Sequence, residues 1–452
     1  MIPIFKKGGR IVTGKSRAVA VSSDDKLPTS VDFVVIGGGY IGCCTALELA
    51  ERGHTVALCE KGVIAGEASG RSFGWIDSQF LDPVKIELIS RSKSLWENMN
   101  SRIAGETGYR RLGMVSLFAD DEGVAMAEGW LESVRGLDGV DARVVNGNEL
   151  QALIPNSPVP WVAGLYQPSD ASAEPTIAAP AIAKAARNRG AQIFQGCAVR
   201  GLETNGGKVS AVVTEKGRIS CKSAILAAGA WSPLFAGSLG IQLPQFQAHA
   251  SMMQTKPLDG PEVSAWGQGY TWRKSTDNSY TLGTVNGAAP ITPSTIRYSF
   301  KLLPAIRAMW DQVDPVFSPT TFFSHLTTPS SWRLDQVSPF EKNRILMPEI
   351  RHKVLDDVKQ SLGTDFPVFA NLEEAERWAG VLVTTLDNMP VISAVDSLPG
   401  LFLGTGFYYG LTMAPAAGEA LADIATGETP KIDLSLYRHS RFTDGSKLTF
   451  RY

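Results

Sequence analysis

Short runs of β-branched and apolar residues, bounded by glycines, alternate along this chain with stretches whose apolar positions recur at helical spacing. The first run, Val31-Asp32-Phe33-Val34-Val35-Ile36, has the nearly continuous apolar character of a strand buried on both faces of a parallel sheet. Gly37-Gly38-Gly39-Tyr40-Ile41-Gly42 follows at once. Cys43, Ala46, Leu47 and Ala50 then repeat at i, i+3, i+4 and i+7, which predicts a helix closing at Arg52-Gly53-His54. Residues 55–59 read as a second strand ending at Glu60, and the whole makes a βαβ unit.

From about residue 80 to 162 polar side chains return often, predicting long helices over 84–104 and 121–135. A helix over 175–189 leads into apolar runs at 191–194, 198–202, 209–213 and 218–220. Gly206-Gly207 and Gly217 separate the last three, so they read as an antiparallel meander, with 223–229 as a further buried strand. Residues 245–375 are rich in aromatics and proline, with alternations such as Tyr280-Thr281-Leu282-Gly283, and predict an antiparallel sheet with helices. Residues 400–406 run from a strand into glycines, and Ala417, Leu421 and Ile424 share one face of a helix over 415–426.

Composition narrows the function. The chain has 452 residues, 44% of them hydrophobic and 19% charged, which is ample to bury a core and form a cleft. Its 43 Lys+Arg and 45 Asp+Glu give a net charge of −2, unlike the strongly basic face of a nucleic-acid binder, so no nucleic-acid partner is expected. No apolar run reaches transmembrane length. Five cysteines, an odd number with no C-x-x-C pair, lie in apolar runs and read as buried reduced thiols. The five histidines show no metal-ligand spacing, so no metal is expected. Residues 1–30 carry Lys6, Lys7, Arg10, Lys15 and Arg17 without a secretory apolar stretch, which reads as a solvated arm on a cytoplasmic protein.

The chemistry starts at Gly37-x-Gly39-x-x-Gly42, placed between a strand and a helix. Gly37 permits the tight turn, Gly39 lets backbone approach a pyrophosphate, and Gly42 lets helix and strand pack closely. The helix N-terminus offers N–H groups and partial positive charge to the phosphates. Glu60, about twenty positions on, can accept hydrogen bonds from ribose hydroxyls. A dinucleotide is expected.

Further along, the chain resembles the D-amino-acid-oxidase-like (DAO) flavoproteins, which oxidise amines and amino acids with FAD. The resemblance rests on the opening βαβ unit, Gly66-Glu67-Ala68-Ser69-Gly70-Arg71-Ser72-Phe73-Gly74, residues 224–232, and Gly404-Thr405-Gly406-Phe407-Tyr408-Tyr409-Gly410-Leu411. The ending Tyr437-Arg438-His439-Ser440-Arg441-Phe442 also resembles the bacterial amino-acid-deaminase branch. The likeness covers most of the chain from Val31 onward and is weakest in the substrate portion. It implies a mixed α/β fold, with a Rossmann-like FAD-binding domain (31–80, 163–244 and 378–452) interleaved with an antiparallel-sheet substrate domain (81–162 and 245–377). It also implies FAD contacts from Gly37, Gly39, Tyr40, Ile41, Gly42, Glu60 and Lys61; from Ala68, Ser69, Gly70, Arg71, Ser72, Phe73 and Gly74; from Val199 beside the adenine; from Ala228, Gly229 and Trp231; and from Gly406, Phe407, Tyr409, Gly410, Leu411 and Thr412. The helix after Gly410 would aim its N-terminus at the flavin edge where charge accumulates on reduction.

Departures from the family pattern carry the mechanism. Leu382 stands where many relatives have a carboxylate-binding arginine, and no cysteine is near it, so the FAD is expected to be non-covalent. Arg273 is the candidate to hold a substrate carboxylate. Thr281 stands in place of an oxygen-activating lysine, which favours a dehydrogenase passing electrons to a carrier over an oxidase. Phe73, Trp75, Tyr408 and Tyr409 are expected to wall the site with aromatic surface and desolvate a neutral amine. Asp387 is either near the flavin edge or a turn cap. The expected activity is oxidation of a C–N bond in an amino acid or secondary amine to an imine by hydride transfer to flavin N5. Oxidation of a 2-hydroxy acid or alcohol, and a non-catalytic FAD-holding subunit, stay open as alternatives. Since relatives often work in complexes, an oligomer is among the expected states.

Overall fold

The computed structural model describes residues 16–308 and 313–452. Apolar side chains toward both faces put Ser30–Ile36 inside an eight-stranded sheet, where Val34 and Val35 are fully buried. Its parallel neighbours are Val56–Cys59 and Gly217–Leu226, with Val35 opposite Leu58 on one side and Ile225 on the other. The sheet runs Val391–Ala394, Leu401–Thr405, Gly217–Leu226, Ser30–Ile36, Val56–Cys59, Gln192–Phe194, and Lys208–Thr214 and Val199–Asn205 extend it antiparallel. Helices Tyr40–Glu51, Ala178–Asn188 and Gly410–Thr426 pack together on one face around Leu47, Ile182 and Leu421, each fully or almost fully buried.

The second sheet has ten strands. Gln245–Thr255 is its spine, pairing with Glu374–Thr385 along its whole length and with Tyr280–Gly283 on the other side. Thr271–Lys274, Ser264–Trp266, Met114–Phe118, Ala163–Gln167 and Arg143–Val145 continue it. Trp272 and Tyr280 on one face pack edge-on against Phe366 and Phe369, with ring centres 4.8 and 5.0 Å apart.

Four expectations are corrected. The strands read at 218–220 and 223–229 are one strand, Gly217–Leu226, because nothing between them breaks the backbone; residues 217–220 pair with the meander and 220–226 with the parallel sheet. Ala163–Gln167 and Glu374–Thr385, at the borders of the expected FAD-binding segments, belong to the second sheet. The helix over 84–104 breaks at Asn98 into Ile86–Glu97 and Met99–Ile103. The described part of the N-terminal arm is not a solvated tail. Val19 N–H donates to Thr176 O (2.8 Å), Asp24 N–H to Ile193 O (2.7 Å), and the Arg17 guanidinium lies 3.5 Å over the Trp378 ring. Lys6, Lys7, Arg10 and Lys15 lie outside the described residues. All five cysteines are buried and unpaired.

Candidate active site

Two adjoining cavities occupy the seam between the sheets. The first spans about 1100 Å³ with its open mouth included and is lined by residues 36–41, 59–61, 65–69, Val199, 227–231, Val381, Val383, 404–407 and Gly410. Helix Tyr40–Glu51 begins at its wall, and an α-helix leaves its first N–H groups without acceptors inside the helix. Ser69 Oγ accepts the Tyr40 N–H at 3.0 Å, tying the second loop to that helix start. The Glu60 carboxylate accepts from Gly38 N–H and Gly62 N–H, both at 2.7 Å. Burial lifts that carboxyl above its ordinary range, while Lys61 and the two backbone donors pull it down.

The shape of this wall fits a dinucleotide. Gly37 has φ +113°, and a Cβ there would stand 2.4 Å from Ala227 O. At Gly42 a Cβ would meet Gly37 O at 1.9 Å, so only glycine lets the helix start lie this close to the strand end. The loop and helix start therefore form a ledge free of side-chain bulk at these glycines and suited to a pyrophosphate, with Glu60 at the end of the next strand on the same cavity wall. Lys61 is drawn aside: its Nζ donates to Glu67 Oε1 (2.8 Å) and Arg344 O (2.7 Å), and Trp231 Nε1–H donates to the same Glu67 at 3.1 Å.

The second cavity, about 1260 Å³ with its open mouth included, adjoins the first, with Ala68, Val381 and Gly410 lining both. Phe73 and Trp75 meet edge-on 4.5 Å apart, Tyr408 and Tyr409 5.1 Å apart, and Phe80, Trp266, Met252 and Leu382 complete an apolar wall. Burial pushes both tyrosine hydroxyls well above their usual range, so they are neutral hydrogen-bonding groups. The first turn of helix Gly410–Thr426 opens at the junction, directing a helix N-terminus there.

The structure brings most expected residues to these two cavities. Gly37, Gly39, Tyr40, Ile41, Glu60, Lys61, Ala68, Ser69, Val199, Ala228, Gly229, Trp231, Gly406, Phe407 and Gly410 line the first. Arg71, Ser72, Phe73, Gly74, Tyr408, Tyr409, Leu411 and Thr412 line the second. Gly42 and Gly70 stand behind the wall, where a Cβ would strike backbone carbonyls at 1.9 and 2.3 Å.

Arg273 is not on the wall, and the expectation that it grips a carboxylate is corrected. Its side chain is buried, with Nε donating to Phe73 O (2.7 Å) and Nη1 and Nη2 to Glu174 (2.9 and 3.2 Å). Nη2 also reaches Ser275 Oγ and Thr281 Oγ1, each at 3.2 Å. Glu174, distant in sequence, takes the charge that was expected to face substrate. Asp387 is a turn cap: it accepts from Thr385 Oγ1–H (2.7 Å) and pairs with buried Arg441 (2.8 Å).

Among the residues of the second cavity's wall that the sequence reading missed, one is acidic. Asp77 lines the second cavity, and its carboxyl is pushed up to about 7 by burial first and the Asp170 charge second, against a Thr412 hydrogen bond that pulls it down. A lone acid in the apolar stretch Gly74-Trp75-Ile76-Asp77 was its only sequence signal.

Comparisons with known proteins agree with this geometry. The family described as "FAD dependent oxidoreductase" matches residues 32–424. The structure of L-amino acid deaminase from Proteus myxofaciens in complex with anthranilate is similar, with a TM-score of 0.92, 36% identity, and coverage of 96% of this chain and 98% of that one. L-amino acid deaminase from Proteus vulgaris gives 0.90 and 29%, covering 94% and 100%. The sarcosine oxidase subunit beta of Rhodobacter capsulatus is 24% identical over 92% of this chain and 90% of its own.

Proposed function

This chain belongs to the FAD-dependent oxidoreductase family, and from that premise we propose that it oxidises the C–N bond of an amino acid or amine to an imine, which water then hydrolyses, and that its electrons go to a carrier rather than to oxygen. The observation that carries the reading is the adjacency of the two cavities, which share Ala68, Val381 and Gly410 in their walls and set a dinucleotide ledge beside an aromatic chamber. Bound FAD supplies a two-electron acceptor.

The chain's own residues supply the rest. The ledge at Gly37–Ile41 would hold the diphosphate, Glu60 the ribose and Val199 the adenine end, all three on the wall of the first cavity. The helix beginning at Gly410 places positive potential where negative charge grows. Phe73, Trp75, Tyr408 and Tyr409 exclude water from the reacting carbon and nitrogen. In the net reaction an amine loses a hydride equivalent from carbon and one proton from nitrogen, and a C=N bond replaces the C–N bond.

The carrier preference rests on charge near the chamber. Thr281 Oγ1 accepts from Arg273 Nη2 at 3.2 Å and the Arg273 charge is met by Glu174, so this pair of strands offers no free cation to stabilise reduced oxygen. Anaerobic addition of amines, amino acids and 2-hydroxy acids to the FAD-loaded protein tests the substrate class: amines or amino acids should bleach the flavin, and bleaching by hydroxy acids alone would replace this reading. Mixing the bleached protein with oxygen or with a quinone then tests the acceptor, and reoxidation should be faster with the quinone.

A further inference from the structure

We infer that Asp77 receives the ammonium group of the substrate and takes its proton, making the site selective for cationic amines rather than for carboxylates; this rests on the amine-oxidising reading above. Two charged residues line the second cavity, Arg71 and Asp77. Arg71 is turned to the protein: Nε donates to Gly66 O (3.4 Å), Nη1 to Ala379 O (3.1 Å), and Nη2 meets Met347 Sδ at 2.8 Å. Asp77 forms no ion pair among the described residues, and its one side-chain donor is the Thr412 hydroxyl at a long 3.3 Å.

Behind Asp77 the charges do not balance. Asp170, fully buried, takes the Lys93 ammonium at 2.9 Å, and accepts from Ser78 Oγ–H at 3.2 Å. Lys93 is further committed to Ser169 Oγ at 2.7 Å. Two buried carboxyls thus share one lysine, and an uncompensated buried charge is costly. A substrate ammonium entering from the cavity supplies the second cation on the side of Asp77 that the protein leaves open. The groups facing Asp77 are Lys93 from helix Ile86–Glu97, Asp170 from the turn before Ala171–Ser172, Thr412 from helix Gly410–Thr426, and Tyr408 and Tyr409, with Tyr452 on the same cavity wall.

In the step proposed, an N–H bond of the ammonium breaks, an O–H bond forms on the Asp77 carboxyl, and no electrons change owner. The neutral amine left behind has the lone pair that forms the C=N bond as hydride departs. Burial beside Asp170, which lifts the carboxyl to about 7, suits it to accept this proton near neutrality.

The test compares two probes of one shape, isobutylammonium and neutral isobutyramide, titrated into FAD-loaded protein and read by perturbation of the flavin absorption band. The wild type should prefer the ammonium, with the preference rising between pH 6 and 8 as Asp77 ionises. Asp77→Asn should weaken ammonium binding by about tenfold or more and leave the amide unchanged. FAD content and melting temperature verify the variant's fold, and the wild-type pH dependence stands as a second test should Asp77→Asn lose FAD. A variant that binds the ammonium as tightly as the wild type, a pH-independent preference, or an ammonium that leaves the wild-type flavin unperturbed overturns the inference. If Asp77-dependent ammonium binding is found but no amine or amino acid bleaches the flavin, the oxidation reading alone fails. If amines bleach it and Asp77→Asn changes nothing, only this inference fails.

Discussion

Asp77 makes the fold's stability depend on pH in a direction opposite to most carboxylates. Its folded value of about 7 lies above the ordinary 3.8, so between those values the folded chain holds a proton that the unfolded chain releases. Its contribution to stability is therefore intact below about pH 4 and lost as pH rises toward 7. Asp77→Asn should stabilise the protein by up to about 4 kcal/mol at pH 8 and by little near pH 4, as read by denaturant melts at the two pH values. Arg273 behaves as a buried structural charge. Replacing it with Met leaves Glu174 unpaired and frees the Phe73 carbonyl, and should cost about 3 kcal/mol or more in the same melts. Adding Glu174→Gln should recover part of that loss. A carboxylate anchor would behave otherwise: affinity for amino acids would fall while affinity for amines held. The sequence shows which side chains are chemically able, but not which partner has already claimed them. Arg273 and Glu174 are 99 positions apart, and only the fold reveals that they neutralise each other.

At the level of single elements, helix Gly410–Thr426 must carry Pro415 in its interior and still start at the cavity junction. Pro415 has no N–H to give the Leu411 carbonyl, and Trp96 Nε1–H, buried on helix Ile86–Glu97, donates to that carbonyl at 3.0 Å instead. Trp96→Phe keeps the ring's bulk but orphans the carbonyl, which should cost about 1–3 kcal/mol in thermal or denaturant melts. The helix start at Gly42 is the second sensitive point. A Cβ 1.9 Å from Gly37 O displaces the ledge, so Gly42→Ala should purify with most of its FAD lost, measured by flavin released per protein. The βαβ unit was legible because its signals are local: a strand, three glycines and a helical stripe within thirty residues. Gly217–Leu226 was read as two strands because its change of partner, from antiparallel to parallel neighbours, leaves no mark in composition.

Across the whole molecule, function depends on segments far apart in the chain meeting at one seam. The first helix start, the Ala68–Arg71 turn, the Gly229–Trp231 turn and the last helix border two adjoining cavities, whose other side is formed by Gln245–Thr255 and Glu374–Thr385. The glycine-bearing segments were legible as parts of a nucleotide site. The adjacency of the two cavities, the reserved Lys93 and the packed strap of residues 16–29 were not, since each exists only through tertiary contact. Among the described residues no helix is long and apolar enough to cross a membrane. The central claim is that FAD threads from the Gly37–Gly42 ledge to an amine-accepting chamber. The most direct measurement is the visible spectrum of the purified protein, supplied with FAD and titrated anaerobically with amines and amino acids. A bound-flavin spectrum that bleaches on titration is the predicted result; a protein that retains no FAD, or whose flavin stays oxidised with every amine and amino acid, contradicts it.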